Sequence, residues 1–320
     1  MAKLSNTLFV FLSAMLFVLL SCSGHSEKRR EGKLTFTFIT TCVDEDFFDP
    51  VKKGMQDAAD LMDVECTFTG TPGVDVVGQA EMVRQAISDG VDGIALNIID
   101  SIAFDAVITE SLVAGIPVVA FNSDDHHSPN ERLSSVCQNL YLAGWQLGDA
   151  VSTDIPPSSR VIITVHSLGI SALEERVSGI QDGLREKDLS FELLVTTNVI
   201  DSAERIVADA LQRMPDVKMV LCTGLADTEG TGNALAAGFW ETGVRAAGFD
   251  LSEAILHHVE AGSLLFTIDQ QPYMQGFLPV IQLALYCRYG VLPSDNEIGA
   301  TFVTRDNVKQ VKDLITEGYR

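Results

Sequence analysis

Short runs of β-type residues alternate with segments of helical periodicity from Leu34 onward, and this alternation constrains the fold more than any other feature. The first series contains the runs LTFTFITT, VECTFTG, GIALNI and IPVVAFN, and it closes at Asn122. After the polar loop DDHHSPNE, a second series begins with LSSVCQ and continues with VIITVHS, ELLVTTN, MVLCTG and RAAGFD. Such alternation predicts parallel sheets covered by helices on both faces. Because the strands are too many for one compact sheet, we expect two doubly wound α/β lobes.

The segments between these runs carry apolar residues at helical spacing. The first segment places Val51, Met55 and Ala58 on one helix face, and a later segment predicts a helix over residues 101 to 114. The apolar faces of these helices are expected to pack against the strands.

Composition and charge limit the classes of function. The chain has 320 residues and is 46% hydrophobic, which is enough for a large core and excludes a disordered chain. Its 22 Lys and Arg residues against 44 Asp and Glu residues give a net charge of -22. A charge of this sign repels the phosphates of nucleic acids, so we expect no nucleic acid partner.

The N-terminus has the features of an export signal. Lys3 precedes an apolar stretch from Leu8 to Leu20 that is too short to span a bilayer comfortably but fits a secretory signal peptide, predicted here over residues 1 to 21. The following pair, Ser21 and Cys22, resembles the lipobox of bacterial lipoproteins, in which the cysteine is lipidated and becomes the new N-terminus. The alternative is a plain signal peptide with an incidental cysteine. The polar residues 22 to 33 would then serve as a flexible tether.

The remaining cysteines and the paired histidines do not have the spacing of a metal site. The cysteines have no CxxC or Cys/His ligand spacing, so we expect free thiols at Cys42, Cys66, Cys137, Cys222 and Cys287. The adjacent side chains of His126 and His127 would point apart on a strand or helix, which argues against a shared metal ion.

Polar and aromatic residues stand where the predicted strands end. In doubly wound sheets the ligand binds beyond the carboxyl ends of the strands. The residues at these positions are Asp44 to Phe48, Asn97, Asn122 with Ser123, Arg176, Asp227, Asp250 and Gln270. They include no plausible pair of nucleophile and base, so we expect a binding protein without enzymatic activity and without a cofactor. Carboxylates, amides, one guanidinium and aromatic rings are suited to recognising hydroxyl groups.

The order of several motifs resembles the type I periplasmic sugar-binding proteins, the family of the ribose-binding protein. The resemblance covers roughly residues 34 to 310 and is carried by DEDFFDPVKKG, IALNIIDS, IPVVAFN, ALEERVSG, AAGFDLSEAI and FTIDQQP. It implies a monomeric receptor that closes on a sugar and presents it to the membrane subunits of an ABC importer. The implied lobes are residues 34–137 plus 271–298 and residues 138–270 plus 299–320, joined by a three-segment hinge.

The resemblance also implies a role for each site residue. Phe47 and Phe48 would stack on the sugar ring, and Arg176 would donate two hydrogen bonds to sugar oxygens. The remaining polar contacts would come from Asn97, Asp250 and Gln270, from Asp227 if one extra residue is allowed in CTGLADTEG, and from Asp44 and Glu45, which replace the usual amides.

One departure from the family pattern bears on the ligand. Where ribose-binding members usually carry an Asp-Arg pair, this chain carries Asn122 and Ser123. We therefore expect poor binding of ribose and prefer a neutral monosaccharide or a cyclic polyol such as an inositol. An amino-substituted sugar is the second choice.

Other interpretations of the same residues remain open at this point. The two phenylalanines can form a hydrophobic staple, Arg176 can be an ordinary ion-pair residue, and Asp250 can cap the helix that follows it. At the level of function, the alternatives are a sugar-sensing receptor for a membrane kinase or chemoreceptor and a regulator of the lactose-repressor kind. The acidic charge and the missing DNA-reading segment argue against the regulator. We expect an exported, lipid-anchored protein that faces the periplasm or the cell exterior.

Overall fold

A computed structural model describes residues 32–100, 102–124 and 130–320. Residues Leu34–Arg320 form one compact unit. The predicted signal peptide, Cys22 and the pair His126 and His127 lie outside the described residues.

The first sheet has the spatial strand order β11-β5-β4-β3-β1-β2. Its neighbouring strands run parallel. The strands are β1 (Thr35–Thr40), β2 (Glu65–Gly70), β3 (Gly93–Leu96), β4 (Val118–Asn122), β5 (Ser134–Cys137) and β11 (Asn296–Glu297).

The second sheet has the corresponding order β12-β10-β9-β8-β6-β7. Its strands are β6 (Ser159–Val165), β7 (Leu189–Val195), β8 (Val217–Cys222), β9 (Arg245–Phe249), β10 (Phe266–Asp269) and β12 (Thr301–Thr304). Strand β12 pairs antiparallel with β10, whereas the other pairs are parallel. This antiparallel edge strand is a departure from the all-parallel prediction: the chain returns from β11 of the first sheet and enters the second sheet beside β10 in the opposite direction.

Helices cover both faces of both sheets, as the sequence pattern predicts. The helices are α1 (Asp49–Met62), α2 (Val76–Asp89), α3 (Asp105–Val113), α4 (Leu140–Val151), α5 (Ser171–Gly183), α6 (Ile200–Arg213), α7 (Leu225–Ala236), α8 (Glu253–Ala261), α9 (Pro272–Tyr289) and α10 (Val308–Thr316). In the first lobe, α1 and α9 pack on one face of the sheet and α2 and α3 on the other. In the second lobe, α4 and α5 pack on one face and α6, α7, α8 and α10 on the other.

Two sequence-based assignments need correction. The run LSSVCQ, expected to open the second series, forms β5 and pairs with β4 in the first sheet, from Val119↔Ser134 to Asn122↔Cys137. Consecutive strands usually pair with each other, so the polar loop between them is not a lobe boundary. The helix expected from residue 101 begins at Asp105, after a turn in which the Asp100 carboxylate accepts hydrogen bonds from the backbone N–H groups of Ile102 and Ala103.

The chain passes between the two sheets three times. It leaves β5 of the first sheet for α4, leaves β10 of the second sheet for α9, and leaves β11 of the first sheet for β12. The second passage contains Gln270 and Gln271, and Gln271 has a left-handed backbone with φ of 51°. Three neighbouring connections of this kind can act together as a hinge.

Glycines allow two helix pairs to approach closely. At the crossing of α4 and α5, a Cβ on Gly144 would lie 2.2 Å from the carbonyl oxygen of Arg176, and one on Gly179 would lie 2.0 Å from that of Tyr141. At the crossing of α1 and α9, Gly54 and Gly276 are equally confined. Because a larger residue at Gly144 would push the helices apart, this glycine also sets the position of Arg176.

In the described part of the chain, no helix is both long and apolar enough to cross a bilayer. The five cysteines predicted as free thiols are free in the structure. Cys42, Cys137 and Cys222 are buried, and Cys66 and Cys287 are partly buried.

Candidate functional site: a cleft between the strand ends of the two sheets

A cavity of about 320 Å³ lies between the carboxyl ends of strands from both sheets. Its volume is within the range of about 300 to 1,000 Å³ that is usual for small-molecule sites. Among the predicted site residues, those that line it are Asp44, Glu45, Phe47, Phe48, Asn97, Asn122, Arg176, Asp250 and Gln270. The structure therefore brings together residues that are separated by more than half of the sequence.

The loop after β1 supplies the aromatic wall of the cavity. Phe47 and Phe48 lie in a single 3-10 turn, and their rings meet edge to face with centroids 5.1 Å apart. Phe48 is only 4% exposed and also packs against Phe68, while Phe47 remains partly exposed. Phe48 therefore combines a core role with a place in the wall, and Phe47 offers the more accessible ring.

The acidic residues of the same loop face the cavity from its rim. Asp44 is exposed and Glu45 is half-buried. Burial raises the pKa of the Glu45 carboxyl above its ordinary value, whereas the hydrogen bond from Asn198 lowers it. That bond, from Asn198 Nδ2 to Glu45 Oε1 at 3.1 Å, joins loops that leave different sheets.

Two asparagines at strand ends present side-chain amides to the cavity. Asn97 follows β3 and is 2% exposed; its Nδ2 donates to the Thr40 hydroxyl at 2.9 Å. Asn122 ends β4 with a left-handed backbone, φ 64°, and its Nδ2 donates to Gln275 Oε1 at 3.0 Å. Left-handed backbone at a residue other than glycine is strained and is tolerated more readily by asparagine than by most residues.

Arg176 projects from α5 and is 4% exposed. Its Nη1 donates to the Thr223 carbonyl at 2.6 Å, its Nη2 donates to Gln138 Oε1 at 2.9 Å, and its guanidinium lies 4.0 Å from the Phe249 ring centroid. Its Nε has no hydrogen-bond partner among the described residues. Burial lowers the pKa of Arg176, and the charges of Asp250 and Asp227 oppose this effect. Arg176 is therefore a buried cation that still has an N–H group available to donate to a ligand. It is not an exposed side chain in an ordinary surface ion pair, which was the alternative interpretation of this residue.

Asp250 and Gln270 form the hinge-side wall. Asp250 follows β9 with φ of 70°, and its carboxylate accepts a short hydrogen bond from Gln270 Nε2. Burial raises the pKa of Asp250, while Arg176 and the Gln270 amide lower it. The capping role belongs to another residue, because the Ser252 hydroxyl accepts from Ile255 N at the start of α8.

Asp227 is placed differently from the other predicted residues. It is fully buried and does not line the cavity. Its carboxylate accepts hydrogen bonds from the Thr164 hydroxyl and the Thr223 backbone N–H. Burial raises its pKa to about 6. In this conformation the Asp227 carboxylate ties together the ends of β6 and β8 by hydrogen bonds, and its charge opposes the lowering of the Arg176 pKa.

His166 and Asn198 are two polar lining residues among those that were not selected from the sequence. His166 directly follows β6, and Asn198 follows β7 by three residues. Burial and the charge of Arg176 lower the pKa of His166 to about 4, so its imidazole is neutral at pH 7. Both could have been found by applying the strand-end rule to every strand of the second series.

The described residues, with their gaps at 101 and 125–129, contain no group of three His, Cys, Asp or Glu side chains able to hold a metal ion.

Comparison with known families agrees with this arrangement. The model of the periplasmic binding protein domain matches residues 36–290. The resemblance noted in the sequence is thus confirmed.

Individual relatives cover most of the chain. The xylose/arabinose-binding protein XylF of Sulfolobus acidocaldarius is 32% identical over 288 residues, which is 85% of this chain and 71% of the relative. The ribose import binding protein RbsB of Bacillus subtilis is 23% identical over 84% of this chain and 89% of its own length. A carbohydrate transporter from Acidothermus cellulolyticus, solved in complex with myo-inositol, is 27% identical, covers 90% of this chain and 100% of its own, and superposes with a TM-score of 0.80.

Proposed function

The chain belongs to the periplasmic binding protein domain family, and we propose that it captures a neutral monosaccharide or a cyclic polyol for an ABC importer. Members of this family are exported binding proteins rather than enzymes, which agrees with the prediction of no enzymatic activity. The observation that carries the proposal is a cleft that combines a buried arginine, a buried aspartate, oriented amides and phenylalanine rings from both lobes.

The chemistry of the lining favours an uncharged ligand rich in hydroxyl groups. Asp44, Glu45, Asp46 and Asp250 outnumber Arg176 among the charged lining residues in the described chain. An anionic ligand would be repelled by this field, whereas hydroxyl groups can donate to the carboxylates and accept from the guanidinium. The relative named for binding xylose and arabinose, and the neighbour solved with myo-inositol, are consistent with this class.

Hinge closure is the proposed mechanism of capture. We place the lobes at residues 34–137 plus 271–298 and residues 138–270 plus 299–320, because the chain passes between the sheets near these positions. The first lobe contributes the phenylalanines and asparagines, and the second contributes Arg176 and Asp250. A ligand that contacts both lobes binds the closed form better and shifts the population toward it.

Small-angle X-ray scattering tests the closure. The mature protein is measured alone and with D-xylose, L-arabinose, D-glucose and myo-inositol at saturating concentrations. At least one of them should reduce the radius of gyration, and Arg176→Ala should abolish the change. A radius that stays constant while calorimetry shows tight binding would contradict hinge closure and leave sugar binding intact.

Attachment to the membrane through lipid on Cys22 is the second part of the proposal. Several acyl chains hold a lipoprotein firmly, whereas one chain binds marginally. Cys22→Ala should therefore release the protein from the membrane fraction, while Cys66→Ala, which changes a thiol of the folded part, should not. Retention of the Cys22→Ala protein in the membrane together with an uncleaved apolar segment would contradict lipid anchoring.

A further inference from the structure

We propose that Gln275 and Thr40, two buried residues outside the cavity, fix the side-chain amides of Asn122 and Asn97 so that both turn their oxygens toward the ligand. The cavity then selects a ligand that donates hydrogen bonds at these two positions. This inference rests on the proposed function and narrows its ligand class.

Gln275 orients Asn122 through a chain that ends on a backbone carbonyl. The Nε2 of Gln275 donates to the carbonyl oxygen of Gln270 at 2.8 Å, and a carbonyl can only accept. The Oε1 of Gln275 must therefore face Asn122, whose Nδ2 donates to it at 3.0 Å. Asn122 Oδ1 then faces the cavity, where the Ser123 hydroxyl donates a long hydrogen bond of 3.4 Å to it. Gln275 itself is fully buried on α9.

Thr40 orients Asn97 in the same way. A hydroxyl carries one hydrogen, and that of Thr40 is donated to the Thr41 carbonyl at 3.0 Å. Thr40 Oγ1 then accepts from Asn97 Nδ2 at 2.9 Å. The Oδ1 of Asn97 is buried without a hydrogen-bond partner among the described residues, which leaves a strong acceptor for a ligand.

The two oriented amides extend an acceptor surface that already includes Asp250 and Gln270. Gln270 Nε2 is committed to Asp250, and its Oε1 accepts a long hydrogen bond of 3.5 Å from Gln275 Nε2, which leaves this oxygen able to accept a second one. A ligand hydroxyl satisfies such oxygens by donating to them. A fluorine or a methoxy group at the same position cannot donate and leaves a buried acceptor unpaired, which is costly. The preferred ligand is thus a polyol whose neighbouring hydroxyls are all unsubstituted.

The orientation itself can be measured in the ligand-free protein. In 15N- and 13C-labelled protein, scalar coupling across hydrogen bonds should connect the Gln275 amide nitrogen to the Gln270 backbone carbonyl carbon, and the Asn122 amide nitrogen to the Gln275 side-chain carbonyl carbon. A coupling from the Gln275 amide nitrogen to the Asn122 side-chain carbonyl carbon would show the reverse orientation and overturn the inference. This test does not depend on any sugar binding.

Ligand selectivity provides the second test. Calorimetry compares myo-inositol and D-xylose with their monofluoro-deoxy analogues, each carrying fluorine at one hydroxyl position. The wild-type protein should bind at least one analogue of its preferred sugar about tenfold or more weakly, which corresponds to about 1.4 kcal/mol. In Gln275→Met the Asn122 amide can rotate and present Nδ2, so this discrimination should fall by about tenfold.

Matched controls separate orientation from general damage. Gln282 lies on the same face of α9, two turns later, and its amide bonds Ser134, Ser294 and Asn296 away from the cavity. Gln282→Met should leave the fluorine discrimination unchanged. For Asn97, Thr40→Val should lower the discrimination while Thr40→Ser, which keeps the hydroxyl, should retain it. If the sugars bind but discrimination is the same in wild type, Gln275→Met and Thr40→Val, the inference is wrong and the proposed function stands; if no sugar binds the wild type, the proposed function itself fails.

Discussion

Glu45 accepts a hydrogen bond from Asn198 at 3.1 Å, and this contact links the loop after β1 of the first sheet to the loop after β7 of the second. The two residues are 153 positions apart in the sequence. Thr197, next to Asn198, has a left-handed backbone with φ of 72°. A contact made directly across the cleft favours the closed arrangement of the lobes in the same way as a ligand that touches both.

Removal of this contact should weaken closure. Asn198→Ala deletes the donor, and a net hydrogen bond is worth about 0.5 to 1.5 kcal/mol, so sugar affinity should fall by up to about tenfold. The free protein should also become more open by small-angle scattering. An affinity and radius of gyration equal to those of the wild type would show that the contact does not contribute to closure.

The charge of Arg176 should stabilise the folded protein by compensating the buried carboxylate of Asp250. Arg176→Met removes the positive charge that lowers the pKa of the buried Asp250 carboxylate, together with the donors to Thr223 and Gln138, and a buried polar group that loses its partner costs about 1 to 3 kcal/mol. Urea unfolding at pH 7 should report a loss of this order. Loss of the Arg176 charge raises the pKa of Asp250 in the folded protein further above its value in the unfolded chain. The folded variant therefore binds this proton more tightly, and its stability should fall as the pH rises through the raised pKa.

The double variant Arg176→Met/Asp250→Asn is the control for this prediction. Removing the orphaned charge should recover a large part of the lost stability, although not the sugar affinity. If the double variant is less stable than Arg176→Met by the full cost of a second independent substitution, the two side chains do not act on each other.

Gly144 should be required for both packing and binding. A Cβ at this position would lie 2.2 Å from the Arg176 carbonyl oxygen, so Gly144→Ala must separate α4 from α5 and displace Arg176. Overpacking of this kind costs about 1 to 3 kcal/mol. Thermal unfolding and calorimetry should show lower stability and weaker sugar binding. Gly73→Ala, where no atom lies within 4 Å of the added Cβ, should leave both unchanged.

His166 should make stability depend on pH. Its pKa is lowered from 6.5 to about 4 by burial and by Arg176. Between these values the unfolded chain binds the proton and the folded chain does not, so this group's contribution is present above pH 6.5 and is lost as the pH falls toward 4.

The variant His166→Gln removes that contribution. The difference in unfolding free energy between wild type and variant should decrease as the pH is lowered from 7 to 4.5, by at most about 1.4 kcal/mol per pH unit. Urea titrations at four pH values measure it. A difference that is constant over this range would mean that His166 is protonated equally in both states.

The order of elements could be predicted because each strand and helix is a local pattern. The runs from LTFTFITT to RAAGFD form strands. The rule that ligands bind beyond strand ends selected Asn97, Asn122 and Asp250, and all three line the same cavity. Register and strand order depend on contacts between distant segments. The position of β5 in the first sheet, and the antiparallel edge strand β12, could therefore not be derived from local periodicity.

The second layer around the site was also hidden from sequence reasoning. Gln275 lies within a helix, and Thr40 is the last residue of β1, where the sequence pattern selected the acidic and aromatic loop that follows instead. Their importance comes from hydrogen bonds to Asn122 and Asn97, which only the folded arrangement defines. Asp227 illustrates the reverse case, because its place after a strand suggests contact with a ligand while its carboxylate is engaged by Thr164 and Thr223.

Thermal unfolding of the purified protein with a panel of sugars tests the central proposal most directly. The panel contains D-xylose, L-arabinose, D-glucose, D-galactose, myo-inositol, D-ribose, glucosamine and D-glucuronate. A ligand present at 100 times its dissociation constant adds about 2.7 kcal/mol of stability, which raises the unfolding temperature by several degrees in a protein of this size. We predict such a rise with at least one neutral pentose, hexose or inositol, a smaller rise with ribose, none with glucuronate, and loss of the rise in Asp250→Asn. Stabilisation by glucuronate or ribose alone, with no response to the neutral hexoses, the other pentoses or myo-inositol, would contradict the account.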